Sequence, residues 1–156
     1  MIDIIKRQEE TLRFDSFSND DALRIGNAVV KYATSKNKAV ATEIVVNGWT
    51  QFLFCMEGTS PANIRWLKRK RNFLEYRRTS SLLGQKLMEE QNRTMSGIFL
   101  DENEYSDRGG AFPIRIGNQV IGSITVSGLP DVEDHQMVAD VLASYLECEI
   151  ESILVD

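Results

Sequence analysis

Apolar residues recur along this chain with two different periods, and the places where the period changes mark its elements. Ile2, Ile5 and Leu12, with Glu9 beside them, fall near one helical face and predict a short helix over residues 1–13. Residues 15–19 break that pattern. Ser18 stands three positions before Asp21, a near capping box, and Asp20 and Asp21 suit the positive end of a helix. Ala22, Ile25, Gly26, Val29 and Ala33 then return at three- and four-residue spacing, so an amphipathic helix is predicted to end near 35–38.

The period falls to two over residues 39–46, a β-branched run. Asn47-Gly48 follows, the favoured dipeptide of a two-residue hairpin turn, and 49–56 makes the return strand. Ser60 as N-cap and Pro61 as first helical residue open the next helix. Residues 62–91 are helical in propensity, with Ile64, Leu67, Arg71 and Leu74 on one face and an interruption at Thr79-Ser80-Ser81. After a loop-like acidic stretch, residues 111–116 and 119–127 form a second hairpin around Gly117-Asn118. Gly122 in mid-strand leaves room for a close approach of backbone, side chain or ligand. A last helix begins near Asp131, a candidate N-cap, and its apolar stripe runs from Met137 to Leu154.

The order is helix, hairpin, helices, hairpin, helix. Two hairpins joined in one antiparallel sheet, with helices covering it, is the simplest way to bury these stripes. The predicted class is α+β in one domain, with about five strands counting a short one near Ile98.

Composition narrows the function classes. The chain has 156 residues, 42% hydrophobic and 26% charged, as in an ordinary folded domain. No apolar run approaches the roughly 20 residues of a membrane span, and the first ten residues are not signal-like, so a cytoplasmic location without membrane contact is expected. A net charge of −5 argues against nucleic acid as the partner. The charge is uneven, with seven of eighteen basic residues between Arg65 and Arg78 and acids gathered in 101–107 and 131–134. Cys55 and Cys148 form no CxxC and read as two buried free thiols.

No catalytic constellation or metal-ligand set is recognisable. His135, the one histidine, is either a ligand or base beside Glu133 and Asp134, or a solvated residue in the first turn of a helix. Asp131, Glu133 and Asp134 serve acid/base chemistry or simply the helix end. The Ser127-Gly128-Leu129-Pro130 corner presents backbone N–H groups to an anion, or makes a tight strand-to-helix turn. Arg69 and Arg71 belong either to an anion-binding surface, for phosphate or propionate groups, or to a solvated helix face. Met56, Met95 and Met137 read as core.

The stretch GGAFPIRIGNQVIGSITVSGLPDVEDHQMVADVL, residues 109–142, resembles the signature of the haem-degrading-domain group, which includes GlcG-like, HbpS-like and PduO C-terminal domains. Gly109, Gly110, Pro113, Ile114, Gly122, Ile124, Ser127, Gly128, Glu133 and Asp134 carry the match. Phe112, the Leu-Pro after Gly128 and Asp134-His135 are similar to one poorly characterised branch of small proteins in that group. The resemblance spans about residues 20–155 and implies a profilin-like α/β/α fold and a symmetric homo-oligomer. It also implies haem or another tetrapyrrole as a cofactor, with histidine ligands in the N-terminal part, where this chain has none.

The expectation is a ligand-binding module with a pocket rim at Gly109, Gly110, Phe112, Pro113, Ser127, Gly128, Arg69 and Arg71. A partner-binding scaffold with a vestigial pocket is the alternative from another class, and an enzyme acting on a tetrapyrrole or small acid, with His135 as base, is the third.

Overall fold

Asn47 and Gly48 both take positive φ, 51° and 76°, so the first hairpin closes through the two-residue turn its sequence favours. A computed structural model describes residues 1–155 and places nine main elements. They are α1 (Ile2–Thr11), α2 (Asn19–Ser35), β1 (Ala41–Val46), β2 (Trp49–Cys55) and α3 (Pro61–Arg77). Then come α4 (Ser81–Glu90), β3 (Ala111–Ile116), β4 (Gln119–Ser127) and α5 (Asp131–Leu146). Ser18 caps α2 in a reciprocal box with Asp21, and at the start of α3 Ser60 N donates to Asn63 Oδ1 at 3.0 Å.

The two hairpins join through β1 and β4 into one antiparallel sheet of four strands, ordered β2-β1-β4-β3. Its faces differ sharply. Ile44, Phe112, Ile114, Ile124 and Val126 point to the face covered by α2 and α5, where Ile25, Val29, Val138 and Leu142 complete the core. Burying each such side chain contributes about 1.5–3 kcal/mol. The opposite face presents Glu43, Ser123 and Thr125 beneath α3, whose Arg71 pairs with Glu43. Helices on both faces give the α/β/α layering.

Four expectations need correcting. The fifth strand near Ile98 is a short 3-10 helix, Ser96–Ile98: Thr94 Oγ1 accepts Gly97 N at 3.0 Å and turns the chain back. Ile98 and Leu100 pack on Phe73, Met88 and Met95 without joining the sheet. The final helix stops at Leu146, where Glu147 turns left-handed at φ 55°, and the rest of the apolar stripe folds back as an extended tail that buries Ile153 against Ile5, Leu82 and Leu83. Asp131 is the first helical residue rather than the cap, a place taken by Pro130. Cys55 is exposed because β2 is an edge strand, and Cys148 is half-buried.

Gly122 pairs with Val46 in the central ladder, and a Cβ there would lie 2.2 Å from Val45 O, so the close approach is that of a neighbouring backbone. Gly122→Ala must therefore part β1 from β4 and is expected to cost about 3 kcal/mol, at the upper end of overpacking. Gly48→Ala meets nothing within 4 Å but sits at φ 76°, and should cost about 1 kcal/mol. Urea midpoints measure both, and equal losses would contradict the backbone contact.

Candidate functional site

Asn63, Trp66 and Lys70 are spaced by three and four residues, so they line one face of α3. That face looks onto the end of the sheet where β3 begins, β4 finishes and α5 starts. Between these elements lies an open cleft of about 450 Å³, lined by Asn63, Trp66, Lys70 and Arg108 on one side and by Ser127 through Asp131, with Asp134, on the other. The hairpin register brings both small-residue segments here: Val126 N donates to Gly110 O at 3.0 Å.

At the floor, Lys70 and Asp134 form an ion pair whose side chains are only 4% and 1% exposed. Lys70 Nζ donates to Asp134 Oδ2 and to Val126 O, each at 2.9 Å, leaving its third N–H for the cleft. Asp134 Oδ1 accepts Leu129 N at 3.1 Å, so a backbone donor of the corner is taken by a carboxylate of the same chain. Burial pushes Asp134 up to about 6, against the pull of Lys70, and pushes Lys70 below the usual lysine range against the pull of Asp134.

The mouth is looser. Arg108 lies 3.7 Å from Asp131 Oδ2, beyond hydrogen-bond range, with 60% of its side chain exposed; Asp131 accepts Gln85 Nε2 at 3.2 Å instead. Asn63 Nδ2 donates to Ser127 Oγ at 3.1 Å, which leaves the Ser127 hydroxyl proton free to donate. Trp66 forms a wall backed by the Arg69 guanidinium 4.4 Å from its ring centre.

The residues expected at the rim are distributed as follows. Ser127 and Gly128 line the cleft. Gly109 and Gly110 stand just behind it: a Cβ on Gly109 would meet Asp131 O at 2.4 Å, and one on Gly110 would meet Lys70 Nζ at 2.9 Å. Arg69 faces away, bound to Glu102 O at 2.6 Å, and Arg71 is spent on Glu43. Phe112 is in the core, and Pro113 is buried in β3.

His135 is neither solvated nor in the cleft. It is 0% exposed, packed on Phe112, with Nε2 2.8 Å from Gln8 Oε1. Gln8 Nε2 donates to Gln136 Oε1 and Glu151 O, so Gln8 Oε1 is the acceptor and the proton sits on His135 Nε2. Nδ1 is buried without a partner. Position 135 follows Asp134 on α5, so the helix turns it toward the core as Asp134 turns toward the cleft. Lys70, not named among the candidate residues, is the basic side chain of α3 that turns inward with Leu67 and Leu74.

A family described as haem degrading protein HbpS-like matches residues 17–143. The chain belongs to this HbpS-like family. Its relatives include a UPF0303 protein of Azotobacter vinelandii, 36% identical over 97% of this chain and 93% of the relative, and one of Edwardsiella ictaluri, 38% identical over 89% and 90%. Among solved structures, the Ybr137w protein superposes with a TM-score of 0.86 at 24% identity, covering 94% of this chain and 88% of that one. PduOC, solved as a haem complex, gives 0.70 at 15% identity over 88% and 98%. These likenesses establish the fold. The HbpS-like match includes every cleft residue, whereas Gln8 in α1 and the tail lie outside it.

Burial lowers His135 to about 3. The unfolded chain then binds a proton that the native state refuses, so this histidine's contribution is complete above about pH 6.5 and is lost as pH falls, by about 1.4 kcal/mol per unit. Asp134 has the opposite sign: raised to about 6, it makes the native state take up the extra proton between about pH 4 and 6. The two slopes oppose each other there, so a variant is needed to separate them. His135→Gln keeps a donor toward Gln8 but cannot titrate. Its stability difference from the wild type should shift in its own favour by about 1.4 kcal/mol per unit from pH 6.5 to 4.5, read by urea unfolding; a constant difference would mean that the ring is not sealed.

Proposed function

We propose that the protein is a small-ligand-binding module, working as a homo-oligomer, whose cleft takes a small anion of the carboxylate class. The observation that carries this is buried Lys70, which lines the cleft with acceptors for only two of its three N–H groups. Arg108 makes no hydrogen bond, its guanidinium standing 3.7 Å from Asp131, and Ser127 has a free hydroxyl proton, while both oxygens of Asp134 are engaged and Asp131 Oδ2 accepts Gln85 Nε2. Three unfilled donors around one cleft match an acceptor ligand. Trp66 offers that ligand an apolar wall, and a cleft of about 450 Å³ is in the range of small-molecule sites.

Haem, which PduOC carries in its solved complex, does not fit this cleft. Axial haem ligation uses His, Cys, Met or Tyr, and none of these lines it. His135 is fully enclosed on the far side of Asp134. A haemin titration should accordingly show no saturable Soret shift.

Support for the oligomer comes from β2. This edge strand reads WTQFLFC, without charge or proline, and leaves Trp49 64%, Leu53 50% and Phe54 49% exposed. Such an edge is a template for pairing, and a second copy meets it symmetrically. Leu53→Lys should shift the mass seen by light scattering toward the monomer; an unchanged assembly would discard this surface.

Binding is tested by titrating with lactate, as a small carboxylate, and following amide NMR shifts. Saturable shifts are expected at residues 127–131, and Arg108→Gln should weaken binding about tenfold, as for loss of one charge-assisted contact. No shift at these residues in the wild type would reject the reading.

A further inference from the structure

Lys70 supplies the cleft with a donor, and its surroundings fit it for chemistry as well as binding. Lys70 is one of seven lysines, and the other six are exposed or half-buried. It alone combines burial, a carboxylate 2.9 Å away and a position lining the cleft. At the mouth, Asp131 favours its charged form and Arg108, more weakly, opposes it. We infer that Lys70 captures the carbonyl carbon of a small 2-oxo acid as an imine, while Arg108 and Ser127 hold the acid's carboxylate and Asp134 moves the proton. This rests on the carboxylate reading of the cleft.

The step balances without an oxidant or reductant. Lys70 hands a proton to the Asp134 carboxylate, and the free amine attacks the carbonyl carbon: a C–N bond forms as the C=O π pair moves to oxygen, and one proton passes from nitrogen to that oxygen to give the carbinolamine. Asp134 returns the proton to the carbinolamine oxygen, the C–O bond breaks and water leaves. The product is a protonated imine, and Asp134 is a carboxylate again. Buried lysines shift readily toward the neutral amine, which is why such residues serve as imine-forming groups.

Geometry explains how the proton can move. Both partners are displaced by burial toward their uncharged forms, Asp134 upward and Lys70 downward. Their mutual attraction, and the bonds to Val126 O and from Leu129 N, favour the ionised pair. A ligand seated on the floor closes off the small part of Lys70 still exposed and raises the cost of the two charges, which favours proton transfer as the carbonyl arrives. Gly110 is necessary to this arrangement, since any Cβ there would crowd Nζ and Asp134 Cβ, at 2.9 and 3.2 Å.

The test is reductive trapping of the full-length protein. Pyruvate with cyanoborohydride should give one reduced adduct, and peptide mapping should place it on Lys70 in preference to the six more accessible lysines. Lactate, which has the carboxylate but no carbonyl, should compete for the site and form no adduct. Asp134→Asn should slow trapping at least tenfold, and Lys70→Arg, which keeps the charge, should abolish it. Mapping of the wild-type adduct decides the matter even where a variant fails to fold. Lactate binding with no adduct on Lys70, or adducts spread over the surface lysines, would overturn the imine and leave the carboxylate site standing. No binding of lactate or pyruvate would remove the site itself.

Discussion

Taking an ammonium and a carboxylate out of water costs several kcal/mol for each ion, and their attraction offsets this only when the remaining valences are also met. The Lys70–Asp134 pair draws on backbone for this: Val126 O for the amine and the Leu129 N–H for the acid. Three elements are thereby fixed to one another, α3 through Lys70, β4 through Val126 and α5 through Asp134. The cleft exists where this triangle closes imperfectly. One N–H of the ammonium has no protein acceptor in the network, and it lies where the surrounding chain supplies donors. The ligand chemistry follows from that residual valence.

Tight junctions of this kind need backbone at close quarters. Gly110, at φ 134°, lets β3 start within reach of both ions, and Gly128, at φ 152°, turns the end of β4 against Ala39 and Val40. These glycines do not line a pocket so much as allow the charged floor to be assembled. The neighbouring sheet face is unusually polar for a covered one, with Ser123 and Thr125 hydroxyls buried and unpartnered and Glu43 held by Arg71. Stability comes chiefly from the other face, where α2 and α5 cover aliphatic side chains and Phe112.

Much of this was readable in advance, for identifiable reasons. Asn47-Gly48, the Ser18 and Ser60 caps and Pro61 are local signals whose geometry is set within four residues, and each appears where expected. Ser127-Gly128 could be assigned to the cleft because hairpin register places the end of β4 beside the start of β3. The misplaced features depend on long-range partners. A consecutive Arg69-Lys70-Arg71 run does not reveal which residue turns inward, because that is settled by Asp134, 64 positions away. Ile98 looked like a strand residue because an apolar triplet has no period of its own; Phe73, Met88 and Met95 decide its use.

The lone histidine shows the same dependence from the other side. Its residue type suggests chemistry near neutral pH, yet Gln8 accepts its only N–H and no acceptor is in reach of Nδ1, so protonation would add a donor with nothing to receive it. Gln8 also reaches Gln136 and Glu151, and Gln136 accepts Ile153 N at 2.9 Å. The imidazole therefore belongs to a neutral polar clasp that ties α1 and the C-terminal tail to α5. One residue earlier on the same helix, Asp134 turns to Lys70 and takes the charged role. A single step along α5, about 100° of rotation, separates the residue that secures the termini from the residue that serves the cleft.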